Sequence, residues 1–404
     1  MQTSFKDVAF ITPMSMADYD SLLTSSPLMP FNDDVINYLH ALSTQIKRDP
    51  RVREFPDVAT FAFFCRRANI LKLKQQYMNV DSIRLGRGIV FHIAPSNVPV
   101  NFAYSLITGL LAGNSNIVRV SSKNFEQVSI IAQAINTLAG EPECAEIAKR
   151  IVLIQYDRAS HATKEFSAIC DVRVIWGGDE TIQQIRSNPL PARAFDITFA
   201  DRYSLCVIQA NGYINESAPE KIATGFYNDT YLFDQNACTS PHLIVWLGSP
   251  KNIEKAQGIF WDSLYKEVQS KYTLQSVQAI NKLTTFYSQS INQTKIAITA
   301  QQDNVLWRIK LDELSQNIDQ FRCSSGYFAE YNAESICELS SIVNRKYQTL
   351  AYYGFSKTEL SEFIREAKLM GIDRVVPIGR TAEFSLTWDG YQLIDSLSRS
   401  IVII

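Results

Sequence analysis

The sequence lacks an excess of charge of either sign. Its 404 residues include 39 lysines and arginines against 41 aspartates and glutamates, and the formal net charge at pH 7 is −2. A chain without a net basic field has no general electrostatic means of holding nucleic acid or an anionic membrane surface. We therefore expect no nucleic-acid partner, and the balance favours small molecules or other proteins as ligands.

Long hydrophobic runs are also missing. The longest apolar stretch, residues 102–112, is interrupted by serine, threonine and glycine, and it is about half as long as a membrane-spanning helix must be. The chain starts with MQTSFK, which has no apolar signal core, and its seven cysteines are odd in number without paired short spacings. These features predict a cytoplasmic protein with reduced thiols and no membrane span.

What the sequence contains is an alternation of short apolar strands and helices. Residues 16–80 have helical patterns, and from Gly86 onwards strand and helix patterns alternate. The first predicted elements are a strand at 88–94, a helix at 100–111, a strand at 116–120 and a helix at 126–138. This alternation indicates a parallel sheet covered by helices on both faces, hence a doubly wound domain.

Two domains are the natural expectation for a chain of this length, because one compact core does not usually extend over 404 residues. We predict the α/β class, with two doubly wound α/β domains and an N-terminal helical layer. The predicted divisions are a helical region at 1–85, a first α/β domain at 86–230, a second at 231–380 and a C-terminal tail at 381–404. The tail is expected to return to the first domain or to meet a partner subunit.

The most informative single residue is Cys238, which lies in the sequence FDQNACTSPH at residues 233–242. Its neighbours are small or polar, and an apolar run follows at residues 243–247. A buried structural cysteine prefers apolar surroundings, whereas a thiol that reacts with a substrate needs access and backbone donors. A single cysteine in a folded chain is more often a small hydrophobic residue, so the functional interpretation needs support from elsewhere in the sequence.

Asn97 follows the first predicted strand and lies between Pro95 and Pro99. The two prolines would hold an extended, rigid loop and fix the direction of the asparagine amide. A fixed amide N–H beside a nucleophile is a candidate oxyanion donor. An asparagine that satisfies the loop backbone is an equally common interpretation.

Two further loops follow predicted strands. Arg119, Ser121 and Ser122 come at the end of the second strand, where a doubly wound sheet presents its ligand crevice, and a phosphate-bearing ligand would fit them. A helix cap followed by a surface arginine would give the same pattern. Gly177 and Gly178 join a strand to a helix, where amide donors can bind a phosphate or a carboxamide, although glycines also occupy such turns for steric reasons alone.

These loops occur in a distinctive order along the chain. They read Pro-x-Asn-x-Pro, Gly-Asn-x-x-x-Val-Arg-x-Ser, strand-Gly-Gly-helix and a cysteine within DQNACTSP. This order resembles the aldehyde dehydrogenase superfamily and, within it, the LuxC-type acyl-CoA reductase family of the bacterial luminescence pathway. The resemblance is carried most specifically by GIVFHIAPSNVP, GLLAGN, DQNACTSP and TWDGY. It implies an aldehyde dehydrogenase-like fold, with a nicotinamide-cofactor domain at 86–230 and a catalytic domain at 231–380.

The resemblance also implies roles for single residues. Cys238 would be the nucleophile that forms a thioester, and Asn97 with the Cys238 backbone N–H would form the oxyanion hole. Arg119 would reach the adenosine ribose of the cofactor, and Ser121, Gly177 and Gly178 would lie along it. An arginine at the ribose suits a 2′-phosphate, so NADPH is the expected cofactor and NADH the alternative.

The sequence departs from the dehydrogenase pattern where water would be activated. Dehydrogenases of this superfamily carry a Glu-Leu-Gly-Gly-Lys segment whose glutamate activates the hydrolytic water, and the equivalent region here, FADRYSLCV at 199–207, has no glutamate. Asp201 is near that position but has a shorter side chain. The departure predicts reduction of the acyl-enzyme rather than its hydrolysis. His242 either protonates a leaving group or lowers the thiol pKa, or it is a strand histidine without a catalytic part.

The predicted function is NADPH-dependent reduction of an activated fatty acyl group to the aldehyde through an acyl-cysteine. The acyl group would arrive as acyl-CoA or as an acyl-protein thioester, with an acyl-transferase or acyl-protein synthetase as the partner. Two alternatives remain, namely an acylating aldehyde dehydrogenase that works in the oxidative direction and a non-catalytic acyl-transfer partner with the same fold. We expect a homo-oligomer by analogy and no metal ion.

Overall fold

The structure is a computed structural model that describes residues 7–12, 16–77, 83–95, 97–293, 296–301 and 303–403. It divides into two compact units. The first unit runs to Ala200 and resumes at Leu386, and the second comprises Asp201–Ser385. The predicted α/β class is confirmed, since each unit is built on a sheet of mainly parallel strands with helices.

The strands of the first unit that precede Ala200 are β1 (Ala9–Phe10), β2 (Ile83–Gly86), β3 (Ile89–Ile93), β4 (Ser115–Arg119), β5 (Ile151–Gln155), β6 (Val172–Trp176) and β7 (Phe195–Phe199). Within the described residues six of these strands, all except β2, form a sheet in the order β1-β5-β4-β3-β6-β7, parallel except for β1. The chain winds outwards from β3 through β4 and β5, then places β6 on the opposite side of β3. This reversal marks the switch point at which doubly wound sheets bind ligands, beyond the carboxyl ends of β3 and β6.

The helices of this part of the chain are α1 (Met16–Thr24), α2 (Asp33–Arg48), α3 (Pro56–Phe64), α4 (Arg67–Tyr77), α5 (Asn101–Leu111), α6 (Glu126–Ala139), α7 (Ala145–Ala148), α8 (Ala162–Ile169) and α9 (Asp179–Arg186). A short 3₁₀ helix lies at Pro50–Glu54. Asn32 caps α2 by accepting a hydrogen bond from Asp34 N, and acidic residues in its first turn and basic residues in its last turn suit the helix dipole. All five residues of β3 are buried, as expected of a central parallel strand with both faces covered.

The strands of the second unit are β8 (Tyr203–Gln209), β9 (Pro241–Leu247), β10 (Ile296–Ala300), β11 (Trp307–Leu311), β12 (Tyr327–Ala333), β13 (Tyr347–Tyr353) and β14 (Arg374–Pro377). They form a seven-stranded sheet in the order β10-β11-β12-β9-β8-β13-β14, in which β10 among the described strands is antiparallel to its neighbour. Alternate residues of β9 belong to different core clusters: Leu243 and Val245 to one, Ile244 and Trp246 to the other. The sheet is therefore buried on both faces.

The helices of the second unit are α10 (Ala210–Tyr213), α11 (Pro219–Asp229), α12 (Pro250–Lys271), α13 (Ser276–Asn292) and α14 (Lys357–Ala367). Short 3₁₀ helices lie at Tyr231–Phe233, Ile318–Phe321 and Ile336–Ser341. In the ranges that the structure describes, no helix combines the length and apolar character that a membrane crossing requires. The same ranges contain no group of three or more His, Cys, Asp or Glu side chains placed to hold a metal ion.

The division between the units differs from the predicted boundary at 230/231. β8 was expected as the last strand of the first domain, but it pairs with β9 and β13 in the second sheet, so the boundary falls after Ala200. Strand and helix alternate in the same way on both sides of this point. A periodic pattern identifies a strand but not the sheet that the strand joins, because neighbouring strands are selected by long-range pairing.

The C-terminal segment from Leu386 belongs to the first unit. Its elements are β15 (Thr387–Trp388), β16 (Tyr391–Gln392), α15 (Leu393–Leu397) and β17 (Ser398–Ile401). β17 pairs antiparallel with β2. Asp389 and Gly390, at the centre of the TWDGY sequence, have φ values of 46° and 76°, which is the backbone that a two-residue hairpin between β15 and β16 requires.

Candidate active site

Cys238 lies in the loop before β9 of the second unit, and its side chain is partly exposed. Four other cysteines are buried, namely Cys65, Cys144, Cys170 and Cys206. Two consecutive residues of the loop, Asp234 and Gln235, have φ values of 50° and 58°. Side chains other than glycine rarely adopt this left-handed backbone, and it persists only where the surrounding contacts maintain it. The loop therefore has a specific conformation that neighbouring strands must hold.

Gln235 supplies much of that support. Its side chain is 1% exposed. The Nε2 group donates to the carbonyl oxygens of Pro241 and Tyr327 at 3.0 and 3.1 Å, and Oε1 accepts from the backbone N–H groups of Gly326 and Tyr327 at 2.9 and 3.1 Å. Both donors and both lone pairs of the amide are thus used. The cysteine loop is fixed to the start of β9 and to the start of β12.

Ser204 connects the loop to β13. Its Oγ donates to the carbonyl oxygen of Cys238 at 2.6 Å and accepts from the backbone N–H of Thr349 at 3.2 Å. The strand pairing is irregular on both sides of Ser204. On one side, β13 has an extra residue between Tyr347 and Leu350. On the other side, β9 has an extra residue between Pro241 and Leu243. Bulges are uncommon in parallel sheets, and they redirect side chains beside active sites.

The bulge in β13 places Gln348 beside the thiol. The Gln348 side chain is buried, with 2% exposure, and its Nε2 group donates to Cys238 Sγ at 3.5 Å. Its Oε1 accepts from the hydroxyl of Thr349 at 3.3 Å. A neutral hydrogen-bond donor therefore contacts the sulfur atom that would act as the nucleophile.

A positive charge also acts on the thiol. Arg374, at the start of β14, interacts electrostatically with Cys238, and burial lowers the pKa of the arginine from its usual value. The guanidinium donates to the carbonyl oxygen of Thr381 at 2.6 Å. A nearby cation favours the thiolate form of a cysteine.

Asp229 holds the segment that Arg374 contacts. Its carboxyl accepts from the N–H groups of Gly379 and Thr381 at 2.6 and 2.9 Å, and burial raises the pKa of Asp229 to about 6.

His242 does not supply such a charge. It is buried and its ring stacks on Tyr203 with a centroid separation of 5.6 Å. Burial, and secondarily the charge of Arg322, lowers the pKa of His242 to about 3. The imidazole is therefore neutral near pH 7 and cannot lower the pKa of the thiol by charge. Of the two interpretations that the sequence left open, the structure supports the strand histidine packed in the core.

The carboxylate of Asp201 is paired with basic side chains. Its carboxylate forms ion pairs with Arg322 at 2.5 Å and with Lys346 at 3.8 Å. The strand that follows contributes Ser204, whose hydroxyl supports the cysteine loop, in place of a carboxylate. Both carboxylate oxygens therefore contact a cation of the same unit.

The first unit brings the other candidate residues to one edge of its sheet. Ile93 at the end of β3 is level with Arg119 of β4 and with Ile175 of β6. The loops that follow these three strands therefore begin at the same edge. These strand ends and loops contain the residues predicted for the cofactor and the oxyanion, namely Asn97, Arg119, Ser121, Gly177 and Gly178.

Arg119 and Ser121 make local contacts. The Arg119 guanidinium lies 4.7 Å from the ring centroid of Tyr156 and donates to its carbonyl oxygen at 3.3 Å. The Ser121 hydroxyl accepts from Lys123 N at 3.1 Å. The Asn97 side chain is exposed in the loop after β3. Its pairing with Cys238 in an oxyanion hole stays a prediction, because the two residues belong to different units.

The glycine turn after β6 is open on one side. Gly178 has φ −69° and caps the N-terminus of α9, so its backbone does not demand glycine. A Cβ placed on Gly178 would have no atom within 4 Å, whereas one on Gly177 would lie 3.2 Å from a methyl group of Thr181. The fold itself therefore leaves space at Gly178, at the start of α9.

The GLLAGN sequence has a structural role. A Cβ on Gly109 would lie 1.9 Å from Asn116 Oδ1 and 3.0 Å from His92 Nε2. Asn114 Oδ1 accepts from the N–H groups of Arg87 and Gly88 at 2.7 and 3.1 Å. The motif therefore connects α5 to the start of β3 by close packing and hydrogen bonds.

The sequence matches a known protein family over most of its length. The family model described as Acyl-CoA reductase (LuxC) matches residues 67–400. The chain belongs to the LuxC family. Curated relatives include the long-chain acyl-protein thioester reductase of Vibrio harveyi, 27% identical over 188 residues, and long-chain acyl-protein thioester reductase 2 of Photobacterium leiognathi, 25% identical over 191 residues. Each match covers 46% of this chain. The matched segment spans 37% of the Vibrio harveyi relative and 36% of the Photobacterium leiognathi relative, little more than a third of their length.

Solved structures similar to this LuxC-family chain include aldehyde dehydrogenases. An NAD-dependent benzaldehyde dehydrogenase from Corynebacterium glutamicum has a TM-score of 0.63 and 12% identity, and the match covers 98% of this chain and 94% of that one. Aldehyde dehydrogenase 21 from Physcomitrella patens has a TM-score of 0.66 and 9% identity, with coverages of 96% and 90%. At these identities the likeness shows the fold, and the predicted aldehyde dehydrogenase-like fold is confirmed.

The sequence analysis did not predict several residues that surround Cys238. Gln348, Arg374 and Ser204 contact or act on Cys238 from other strands, and no motif around them indicates a role. Gln235 stands in the quoted DQNACTSP sequence, but a glutamine there gives no sign that its amide is buried and fully bonded. The signal that would have drawn attention to it is its place in the cysteine loop, three residues before Cys238.

Proposed function

We propose that this LuxC-family chain reduces an activated fatty acyl group to an aldehyde, with NADPH as the hydride donor and an acyl thioester on Cys238 as the intermediate. The observation that carries the proposal is the setting of Cys238. The thiol is partly exposed, it lies in a loop fixed by Gln235, it accepts a hydrogen bond from Gln348, and it interacts with the charge of Arg374. A reactive cysteine needs access and stabilisation of its thiolate, and this setting offers both.

The acyl group is proposed to arrive as a thioester. The family description names acyl-CoA and the curated relatives are named long-chain acyl-protein thioester reductases. Both substrates present the same group, a thioester carbonyl attached to a fatty chain. The two sources differ only in the carrier, and in the second case a partner protein would deliver the acyl chain.

The cofactor is proposed to lie at the switch point of the first unit. The space at Gly178, the amide groups at the start of α9 and the guanidinium of Arg119 fit a phosphate-bearing dinucleotide. Arg119, Ser121, Gly177 and Gly178 would hold it. When bound, NADPH supplies a hydride to the thioester carbon.

The chain's own residues would act on the sulfur and the oxygen. The Cys238 thiolate attacks the thioester carbonyl, and the oxyanion is held by the Asn97 amide and the Cys238 backbone N–H. The bond to the carrier thiol then breaks, and this thiol takes up a proton. After reduction the oxyanion re-forms a carbonyl, the bond to Cys238 Sγ breaks, and the electron pair returns to sulfur as the aldehyde leaves. Each oxyanion donor is worth roughly 2.7–4 kcal/mol of barrier.

Reduction is preferred over hydrolysis because of what surrounds Asp201. The segment at 199–207 offers no glutamate, and the Asp201 carboxylate is paired with two cations. With no glutamate in this segment and Asp201 paired, we expect the acyl-enzyme to persist until hydride arrives. This argument supports the reductase over a dehydrogenase that forms an acid.

The test combines Cys238→Ser with product analysis. The wild type, mixed with a long-chain acyl-CoA, should gain the mass of one acyl group, and on addition of NADPH it should release the aldehyde. Cys238→Ser should show neither, while the exposed Cys337 replaced by serine serves as the matched control and should behave as the wild type. Acyl labelling that persists in Cys238→Ser contradicts the proposal. Turnover only with aldehyde, NADP and CoA would instead support the oxidative alternative.

A further inference from the structure

We propose that Gln348 is a catalytic hydrogen-bond donor to the sulfur of Cys238, which stabilises the thiolate before acylation and again when the aldehyde leaves. This inference rests on the proposed function for its chemical step, although the contact itself does not. The contact joins two residues of one unit that are 110 positions apart in the chain.

The backbone directs Gln348 towards the sulfur. In the pairing of β13 with β8, Tyr347 is opposite Tyr203 and Leu350 is opposite Leu205. Gln348 and Thr349 therefore share the place opposite Ser204, which a regular strand would give to one residue. Without this bulge the register would leave no extra side chain at the level of the cysteine loop.

Hydrogen bonds on the other side of the bulge fix its shape. The backbone N–H of Thr349 donates to Ser204 Oγ, and that hydroxyl donates to the Cys238 carbonyl oxygen. Ser204 thus joins the bulge to the cysteine backbone while Gln348 contacts the cysteine side chain. The bulge and the nucleophile are held as one structure, so the distance between Nε2 and Sγ does not depend on a flexible loop.

The amide has a defined orientation. Gln348 Oε1 accepts from the Thr349 hydroxyl at 3.3 Å, which leaves the Nε2 group facing Cys238 Sγ at 3.5 Å. The side chain is 2% exposed, so water does not compete freely for its N–H. A hydrogen bond to a charged atom is stronger than one to a neutral atom, and burial increases the difference.

The donor therefore acts mainly on the charged form of sulfur. In the free enzyme it stabilises the thiolate relative to the thiol. In the thioester the sulfur lone pairs accept weakly, and the contact contributes little. When the thiohemiacetal oxyanion re-forms its carbonyl, the C–S bond breaks and the electron pair returns to Sγ, so the contact strengthens as the bond breaks and favours departure of the thiolate.

A glutamine is suited to this position because it is neutral. A carboxylate at the same place would repel the thiolate and could accept a proton from water. The amide donates without either effect. Gln348 thus combines thiolate stabilisation with the absence of a hydrolytic base.

The test measures thiol reactivity without substrate or cofactor. Alkylation of Cys238 by iodoacetamide is followed by peptide mass spectrometry across pH for the full-length wild type, Gln348→Met and Gln348→Glu. In Gln348→Met the midpoint of the rate profile should rise by about one pH unit, a tenfold loss of reactivity below the midpoint. Gln348→Glu should shift in the same direction and further, because it adds a negative charge. It also keeps the test decisive if the methionine variant does not fold.

The matched control is Gln257→Met. Gln257 is also buried in the second unit, where its Nε2 donates to Asn332 Oδ1 at 3.2 Å, and its replacement should leave the alkylation profile unchanged. Folded Gln348 variants with the wild-type profile would overturn the inference, even if the wild type reduces acyl-CoA. A shifted profile in a protein that reduces no thioester would support the contact and reject the proposed function instead.

Discussion

The hydroxyl of Ser204 lies 2.6 Å from the carbonyl oxygen of Cys238, to which it donates, and 3.2 Å from the backbone nitrogen of Thr349, from which it accepts. One side chain therefore connects the backbone of the proposed nucleophile to the bulge that carries Gln348. Ser204 belongs to the segment at 199–207, which lacks the hydrolytic glutamate of the dehydrogenases. In this chain that segment positions the cysteine.

Replacing Ser204 with alanine should weaken both the fold and the site. The variant leaves the buried N–H of Thr349 without this acceptor, and an unsatisfied buried group costs about 1–3 kcal/mol. We expect the free energy of unfolding in urea to fall by about that amount and the rate of Cys238 alkylation to fall with it. The exposed Ser270, whose hydroxyl donates to Glu267 O, provides the control, and its alanine variant should stay within about 0.5 kcal/mol of the wild type. Equal stabilities for both variants would contradict the positioning role.

Alanine at Gly178 should separate ligand binding from folding. A Cβ there meets no atom within 4 Å, so the melting temperature should stay close to that of the wild type. If the dinucleotide occupies this space, its dissociation constant, measured by titration calorimetry, should rise by about tenfold. Alanine at Gly109 should do the reverse and destabilise the first unit, because its Cβ would lie 1.9 Å from Asn116 Oδ1. Unchanged NADPH affinity in Gly178→Ala would place the cofactor elsewhere.

Arg119→Gln should change the choice between the two nicotinamide cofactors. A guanidinium bonded to the 2′-phosphate contributes about 1.5–3 kcal/mol, as charge-assisted hydrogen bonds do. We therefore expect the KM for NADPH to rise at least tenfold while that for NADH changes little. The measurement is initial rate against the concentration of each cofactor. If both KM values rise equally, the arginine does not recognise the 2′-phosphate.

The acid stability of the second unit should depend on His242. Burial lowers its pKa to about 3, whereas an unfolded histidine has a pKa of about 6.5. Between these values the unfolded chain binds more protons, so stability is full above pH 6.5 and falls as the pH decreases towards 3. This one group should remove about 2 kcal/mol between pH 6.5 and 5.

The measurement is urea unfolding of wild type and His242→Phe at several pH values. Phenylalanine keeps the aromatic ring beside Tyr203 and removes both ring nitrogens: Nδ1, which has no hydrogen-bond partner among the described residues, and the nitrogen that is hydrogen-bonded with the backbone of Cys323. The variant should lose stability less steeply than the wild type in this pH range. Parallel curves would mean that His242 is protonated in the folded protein.

The sequence by itself determined the fold class and the LuxC family, and it also predicts Cys238 as the nucleophile. These properties are local: strand and helix periods span a few residues, and the loops around Asn97, Gly177 and Cys238 carry their motifs in short segments. The sequence also indicates the loss of a hydrolytic glutamate, since residues 199–207 contain none.

Only the tertiary structure decided what surrounds Cys238 and where the chain divides. Ser204 and Gln348 contact Cys238 from strands that are distant in sequence, Arg374 interacts with it electrostatically, and a bulge in β13 gives Gln348 its place. Register and bulges depend on pairing between distant strands, which no local period encodes. For the same reason the pattern around β8 identified a strand but assigned it to the wrong sheet, and the boundary after Ala200 emerged from the pairing of that strand with β9 and β13.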